Sequence, residues 1–192
     1  KTKRLKRFIY SFFVYSMGVQ TVLLMAVLFA AEEIDWGDDT NGKTGLIISV
    51  LIIQFIAIVG AGVFSRLSKK IGNINVLKIA VFIWFFVCAW AYTITTPVDF
   101  YITAASVGFV MGGVQALSRS TYSKMLPETT DHASFFSFYD VLEKIGIFIG
   151  MFSFGWVVQV SGSMRNSIFA LGAFFIVGFI LLFFVPKHKL IN

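Results

Sequence analysis

Gly45-Leu46-Ile47-Ile48-Ser49-Val50-Leu51-Ile52-Ile53-Gln54-Phe55-Ile56-Ala57-Ile58-Val59-Gly60-Ala61-Gly62-Val63-Phe64-Ser65 carries no charge, and its one side-chain amide, Gln54, lies near the middle. A hydrocarbon core of ~30 Å is crossed by ~20 helical residues rising ~1.5 Å each. An unpaired backbone group in that medium costs several kcal/mol, so a run of this length must be helical. Barrel strands would be ~10 residues long with strict alternation, which this run lacks. Outward from it, residues 8–31, 76–95, 100–117, 135–160 and 166–185 repeat the pattern. Six such spans, in a chain of 192 residues that is 17% aromatic, predict an all-α membrane protein. With no low-complexity linker, residues 1–192 are expected to form a single transmembrane bundle.

The net charge of +6 invites a nucleic-acid reading, and its placement rejects it. Lys1, Lys3, Arg4, Lys6 and Arg7 precede the first span. Arg66, Lys69 and Lys70 follow the second, Arg119 and Lys124 follow the fourth, and Lys187 and Lys189 follow the sixth. Only Lys43 and Arg165 fall in the alternate gaps, while Lys78 and Lys144 lie inside spans. The positive-inside bias therefore predicts both termini in the cytoplasm and the acidic stretch Glu32-Glu33-Ile34-Asp35 outside. The expected setting is the bacterial inner membrane, crossed several times. The first residue is Lys, no cleavable signal is present, and the chain is expected to be part of a longer protein.

Catalytic and metal-binding patterns are absent from the sequence. The lone Cys88 sits mid-span as a small apolar packing residue, and neither a Cys cluster nor an H-E-x-x-H or G-x-S-x-G run occurs. His132 and His188 fall in the expected cytoplasmic connection and tail. No enzyme activity and no cofactor are expected.

Function must then be read from polar groups at membrane depth. Gln20, Gln54 and Gln115 each lie about halfway along a span, and an amide facing hydrocarbon is costly unless paired. Each is expected to face the interior, lining a solute pathway together with Tyr15 or serving as interhelical glue of roughly 0.6–2 kcal/mol. Glue is the favoured role for Gln54. Met17-Gly18-Val19-Gln20 has an echo in Met111-Gly112-Gly113-Val114-Gln115, in spans of opposite direction, as two inverted three-helix repeats would give. At about 100° per residue, Tyr101, Ala105, Gly108, Gly112, Gln115 and Arg119 share one face of the fourth span, predicting a cavity-lining helix.

Asp140-Val141-Leu142-Glu143-Lys144 is the densest charge within a span. Asp140 and Lys144 are i,i+4 neighbours and are expected to pair along the helix. Glu143 points elsewhere, with Arg119 as its expected partner in a cytoplasmic gate or proton-coupling group. The rival is a solvated helix end with local ion pairs. Pro127 should end the fourth helix, and Thr130 or Asp131 should cap the fifth.

Two segments resemble a known superfamily. Ser65-Arg66-Leu67-Ser68-Lys69-Lys70-Ile71-Gly72-Asn73, expected as a cytoplasmic loop, resembles the major facilitator loop pattern G-x-L-x-D-R-x-G-R-R. Leu67, Lys70 and Gly72 match the pattern, Ser65 is a small-residue substitute, and Lys69 stands where the acidic residue belongs; Arg66, Lys69, Lys70 and Gly72 are the expected loop-motif residues. Gly113-Val114-Gln115-Ala116-Leu117-Ser118-Arg119-Ser120, then Pro127-Glu128 and Phe135-Phe136-Ser137-Phe138-Tyr139-Asp140, resemble the vacuole-effluxer branch of that superfamily. Its members include a fungal autophagy-associated amino-acid effluxer. The resemblance implies the C-terminal six-helix bundle of a twelve-helix carrier, whose partner is the N-terminal half of the same chain.

The sequence therefore points to a secondary carrier working by alternating access on a small solute. Amino acids are implied by resemblance alone, and proton coupling is an open expectation. The rival from another class is a six-span homo-oligomeric channel or membrane scaffold. A membrane enzyme, lacking any nucleophile, comes third.

Overall fold

The computed structural model describes residues 2–127 and 131–186. These form six helices: α1 (Thr2–Glu33), α2 (Asp39–Ile71), α3 (Asn73–Ala91), α4 (Pro97–Met125), α5 (His132–Ser161) and α6 (Met164–Phe183). There is no strand among the described residues. All six helices are long and apolar enough to cross a membrane, and the chain is an integral multi-pass membrane protein.

The helices lie in two layers. α2 packs on α4, α4 touches α1, and α1 packs on α5, making a front row in the order α2, α4, α1, α5. Behind it, α3 packs on α4 and α6 packs on α1, with α3 and α6 in mutual contact. Exchanging α1 with α4, α2 with α5 and α3 with α6 maps this network onto itself. The arrangement of two inverted three-helix repeats, expected from the glutamine echo, is the arrangement found.

Small residues set the front row. A Cβ on Gly60 would strike the Phe109 carbonyl, one on Gly108 the Ile53 carbonyl, and one on Gly112 the Ala57 carbonyl. Backbone therefore lies on backbone where α2 meets α4, as small-residue spacing permits in lipid. Gly150 does the same for α5, where a Cβ would strike the Met17 carbonyl and the Thr21 hydroxyl of α1, and Gly146 rests against Ser16. Between the layers, the buried Trp84 stacks on Phe175 with ring centroids 5.1 Å apart. Cys88 is buried beside them as a packing residue.

Helix ends differ from the expected spans for identifiable reasons. α2 continues through Arg66, Lys69 and Lys70 to Ile71, so the facilitator-like stretch is mostly helix rather than loop. Only Gly72, at φ 86°, breaks the chain there, a conformation glycine adopts without a Cβ penalty. α3 stops at Ala91 instead of residue 95 because the Tyr92 and Ile94 carbonyls accept from the Arg165 guanidinium at 2.6 and 2.8 Å. α6 stops at Phe183, where Arg7 Nη1 donates to the Phe184 carbonyl at 3.1 Å.

α4 ends just before Pro127, and Asp131 caps α5 by accepting from the Ser134 amide at 3.2 Å. The alternative cap Thr130 lies outside the described residues, as do Glu128, Lys187, His188 and Lys189.

At the end with the acidic stretch, Arg165 acts as a staple that the sequence did not announce. Its Nε donates to Glu33 at 3.1 Å, its Nη1 reaches the connection from α3 to α4, and its guanidinium lies over Phe29. Trp36 donates to the Ala30 carbonyl at 2.8 Å and packs edge-on against Phe100 and Tyr101.

Candidate functional site

On the front of the bundle, toward the end rich in Lys and Arg, α1, α4 and α5 enclose a cavity of about 600 Å³. α1 presents Tyr15, Ser16 and Gln20. α4 presents Gln115, Ser118 and Arg119, and α5 presents Tyr139 and Glu143. This volume lies within the ~300–1,000 Å³ usual for small-molecule sites.

Its wall is largely aromatic. Tyr139 stacks on Phe12 at 4.2 Å and lies 5.0 Å from Tyr122, whose hydroxyl donates to the Phe135 carbonyl at 2.7 Å. The buried Tyr15 hydroxyl shares a 2.7 Å hydrogen bond with Ser118, tying α1 to α4 through the core. Tyr15 holds its place because α6 is smooth opposite it: a Cβ on Gly178 would meet the Tyr15 Cβ at 2.6 Å. These aromatic rings fix the depth and width of the cavity.

Two polar links cross it. Gln20 Nε2 donates to Glu143 Oε1, joining α1 to α5. Arg119 Nη2 pairs with Asp140 at 2.8 Å, joining α4 to α5, and the guanidinium lies 5.7 Å from the Tyr139 ring. Both residues of that ion pair are more than half exposed, so its Coulomb energy is well screened and the pair is readily remade.

The geometry corrects the expected partners. Arg119 meets Asp140, not Glu143, and Glu143 meets an amide. Among the described residues no ion pair joins Asp140 to Lys144, which is exposed and outside the cavity lining. Helical spacing told which residues share a face, but not how α5 is turned about its axis; it packs on α1 closely at Gly150, and in that orientation Glu143 meets Gln20.

Gln20 and Gln115 do line one cavity, Gln20 half-buried and Gln115 on its open side. Gln54 does not face inward. α2 packs on α4 through Ile53, Ala57 and Gly60, which leaves Gln54 exposed on the outer surface beside Leu51 and Phe55. The face of α4 is also divided. Gly108 and Gly112 are sealed against α2, and only Gln115 and Arg119 reach the cavity. Arg66, Lys69 and Lys70 are exposed in the last turns of α2, away from it. Phe12, Ser118 and Tyr139 also line it; Ser118 and Tyr139 fall in the family-like segments but drew no site role of their own, since aromatic and hydroxyl residues in an apolar chain give no periodic signal.

A family model described as "Vacuole effluxer Atg22 like" matches residues 1–192. The chain belongs to the Atg22-like vacuole effluxer family. Among its relatives is an uncharacterised MFS-type transporter, YxiO, of Bacillus subtilis (strain 168). It is 30% identical over 183 residues, which cover 94% of this chain and 41% of the relative. Autophagy-related protein 22-1 of Phaeosphaeria nodorum is 29% identical over 199 residues, covering 95% of this chain and 34% of that protein. Autophagy-related protein 22 of Neurospora crassa is 28% identical over 181 residues, covering 86% and 24%. The chain therefore spans well under half the length of these relatives. The family and relative names are those of transporters rather than enzymes, and the resemblance drawn from Gly113 to Asp140 holds at family level.

Proposed function

We infer that this bundle is the solute-binding unit of a secondary carrier that moves a small polar solute by alternating access. The observation that carries the reading is the Gln20–Glu143 link across a 600 Å³ cavity, with Gln115 on its open side. Polar groups held at membrane depth are costly and mark pathways. Here an amide, a carboxylate and a guanidinium converge on one aromatic-walled space.

The wall offers both charge signs. Glu143 accepts from only an amide among the described groups, and Arg119 lies within one helical turn of Gln115. That pattern suits a zwitterion whose ammonium meets Glu143 and whose carboxylate meets Arg119, so amino acids are the favoured solute class. Glu143 is the group proposed to couple proton movement to transport. The exposed Arg119–Asp140 pair is proposed as part of the gate at the Lys- and Arg-rich end, which the positive-inside bias assigns to the cytoplasm.

The open front of the cavity is the proposed contact with another six-helix half of the same protein. α2 and α5 flank that front and carry exposed apolar ridges, Leu51, Phe55 and Ile58 on one and Ile145, Phe148 and Phe152 on the other. A pore through this unit alone is disfavoured, because beyond the buried Thr21 α1 continues as Val22-Leu23-Leu24-Met25-Ala26-Val27-Leu28 with no polar side chain. Solute transport by the full-length protein in proteoliposomes tests the assignment. Gln115→Ala is expected to slow it, and unchanged rates would remove Gln115 from the site.

A further inference from the structure

Behind the front row, at the Lys- and Arg-rich end, a second and separate cavity of about 670 Å³ opens between α1, α2, α3, α4 and the segment Val185–Pro186 that follows α6. Its charged lining is Arg4 of α1, Lys69 of α2, Lys78 of α3 and Lys124 of α4, with no carboxylate among the described lining residues. Four cations from four helices converge on one concave space.

Local geometry reinforces that sign. α3 begins at this cavity after Gly72 with no side-chain cap, so its first turn turns partial positive charge toward the opening. Asn73 holds the wall together, donating to Thr121 at 3.1 Å and accepting from Lys124 at 3.4 Å.

At Lys78 the cavity borders an apolar surface. Lys78 Nζ lies 4.1 Å from the centroid of the Phe183 ring. From there an aromatic lane runs along the outer surface of α3 and α6. Phe183 meets Phe179 at 5.0 Å, Phe179 meets Phe82 at 5.4 Å, and Phe82 meets Phe86 at 5.0 Å. Phe183, Phe82 and Phe86 are exposed. Eight residues separate Lys78 from Phe86, so the lane descends ~12 Å along the helix.

We propose that this pocket and lane bind one anionic phospholipid, its phosphate held by the four cations and an acyl chain laid along the phenylalanines. Charge selects an anion, and the apolar lane that starts at Lys78 selects a lipid over a soluble phosphate. Basic pockets between transmembrane helices take anionic headgroups by this chemistry. The inference does not depend on the identity of the transported solute.

The test uses the full-length protein, delipidated in detergent, with phosphatidylglycerol, phosphatidylcholine of the same acyl chains, and inorganic phosphate as probes. Native mass spectrometry is expected to show phosphatidylglycerol retained about tenfold more tightly than phosphatidylcholine, and phosphate at equal concentration failing to displace it. Lys69→Ala with Lys124→Ala should weaken retention by about fivefold for each cation removed. Lys3→Ala with Lys6→Ala, outside the pocket at the same end, should leave it unchanged. Equal retention of the two lipids, or equal loss in the control pair, overturns the proposal. Displacement by phosphate reassigns the pocket to a soluble anion and overturns it as well. The comparison of lipids on the unmutated protein requires no variant to fold.

Discussion

Gln20 donates its side-chain N–H to Glu143, so an amide at the middle of α1 is the hydrogen-bond partner of a carboxylate on α5. One turn nearer the helix ends, Arg119 and Asp140 form the neighbouring link from α4 to α5. The first is half-buried and the second exposed. In the carrier proposed above, the inner link is the one to face the solute and the outer one the one to open and close.

Glu143→Gln keeps the shape of the inner link and removes its charge. In proteoliposomes of the full-length protein it is expected to slow transport by about tenfold or more and to flatten its dependence on pH. Gln20→Ala leaves the carboxylate without its donor, an unmade bond worth about 1–3 kcal/mol, and should slow transport about tenfold or more as well. Rates and pH profile unaltered in both variants would remove this pair from the pathway.

Tyr15→Phe deletes the hydroxyl that bonds Ser118 in a fully buried setting. The cost expected is about 1–3 kcal/mol, since Ser118 is left without its cross-helix partner. Thermal unfolding in detergent measures it, and Tyr15→Phe with Ser118→Ala should recover part of the loss.

Gly112→Val places a branched side chain where the α2 backbone runs. Overpacking of this kind costs about 1–3 kcal/mol or more, and here the obstacle is a carbonyl rather than a pliable side chain. Reduced folded yield is expected, whereas Gly155→Val should be tolerated because nothing lies within 4 Å of its Cβ position.

Arg165→Ala removes a cation that bonds the Glu33 carboxylate and three backbone carbonyls, those of Glu33, Tyr92 and Ile94, at the end of the bundle opposite the cavity. Hydrogen bonds to charged groups contribute about 1.5–3 kcal/mol each, and partial exposure brings the expected total loss to about 2–4 kcal/mol. Hydrogen exchange should rise first in the connection from α3 to α4. Arg165→Lys should fall short of full rescue, because an ammonium lacks the planar fork.

Asp131 gives a local pH signal. Its hydrogen bonds with Ser134 hold the carboxyl below its ordinary value of 3.8. A depressed folded value means the α5 cap is strongest above that ordinary value and is lost as pH falls through the folded one. Exchange of the Ser134 amide is therefore expected to accelerate in acid, and Asp131→Ala should show the acid rate at neutral pH.

Much of the fold is legible along the chain because lipid is an unforgiving solvent. Residues 45–65 have to be helical whatever surrounds them, since no water is present to satisfy their backbone. The cap at Asp131 and the stop before Pro127 follow from equally local chemistry. The placement of Gln20 and Gln115 was legible through their echo, which reports the repeat relating α1 to α4. Gln54 misleads because the rule that buried amides turn inward holds only for a helix enclosed by neighbours, and α2 is a flank of the front row.

What primary structure alone dictated here was the number of crossings, their helical state and the gathering of basic residues at one end, all consequences of solvation along a single strand of chain. Assembly in three dimensions chose the partners: Asp140 for Arg119, Glu143 for Gln20, Glu33 for Arg165. Partners depend on the rotation of each helix about its axis. Close backbone contacts at Gly60, Gly112 and Gly150 set that rotation, and no periodicity within one helix records what another helix will press against it.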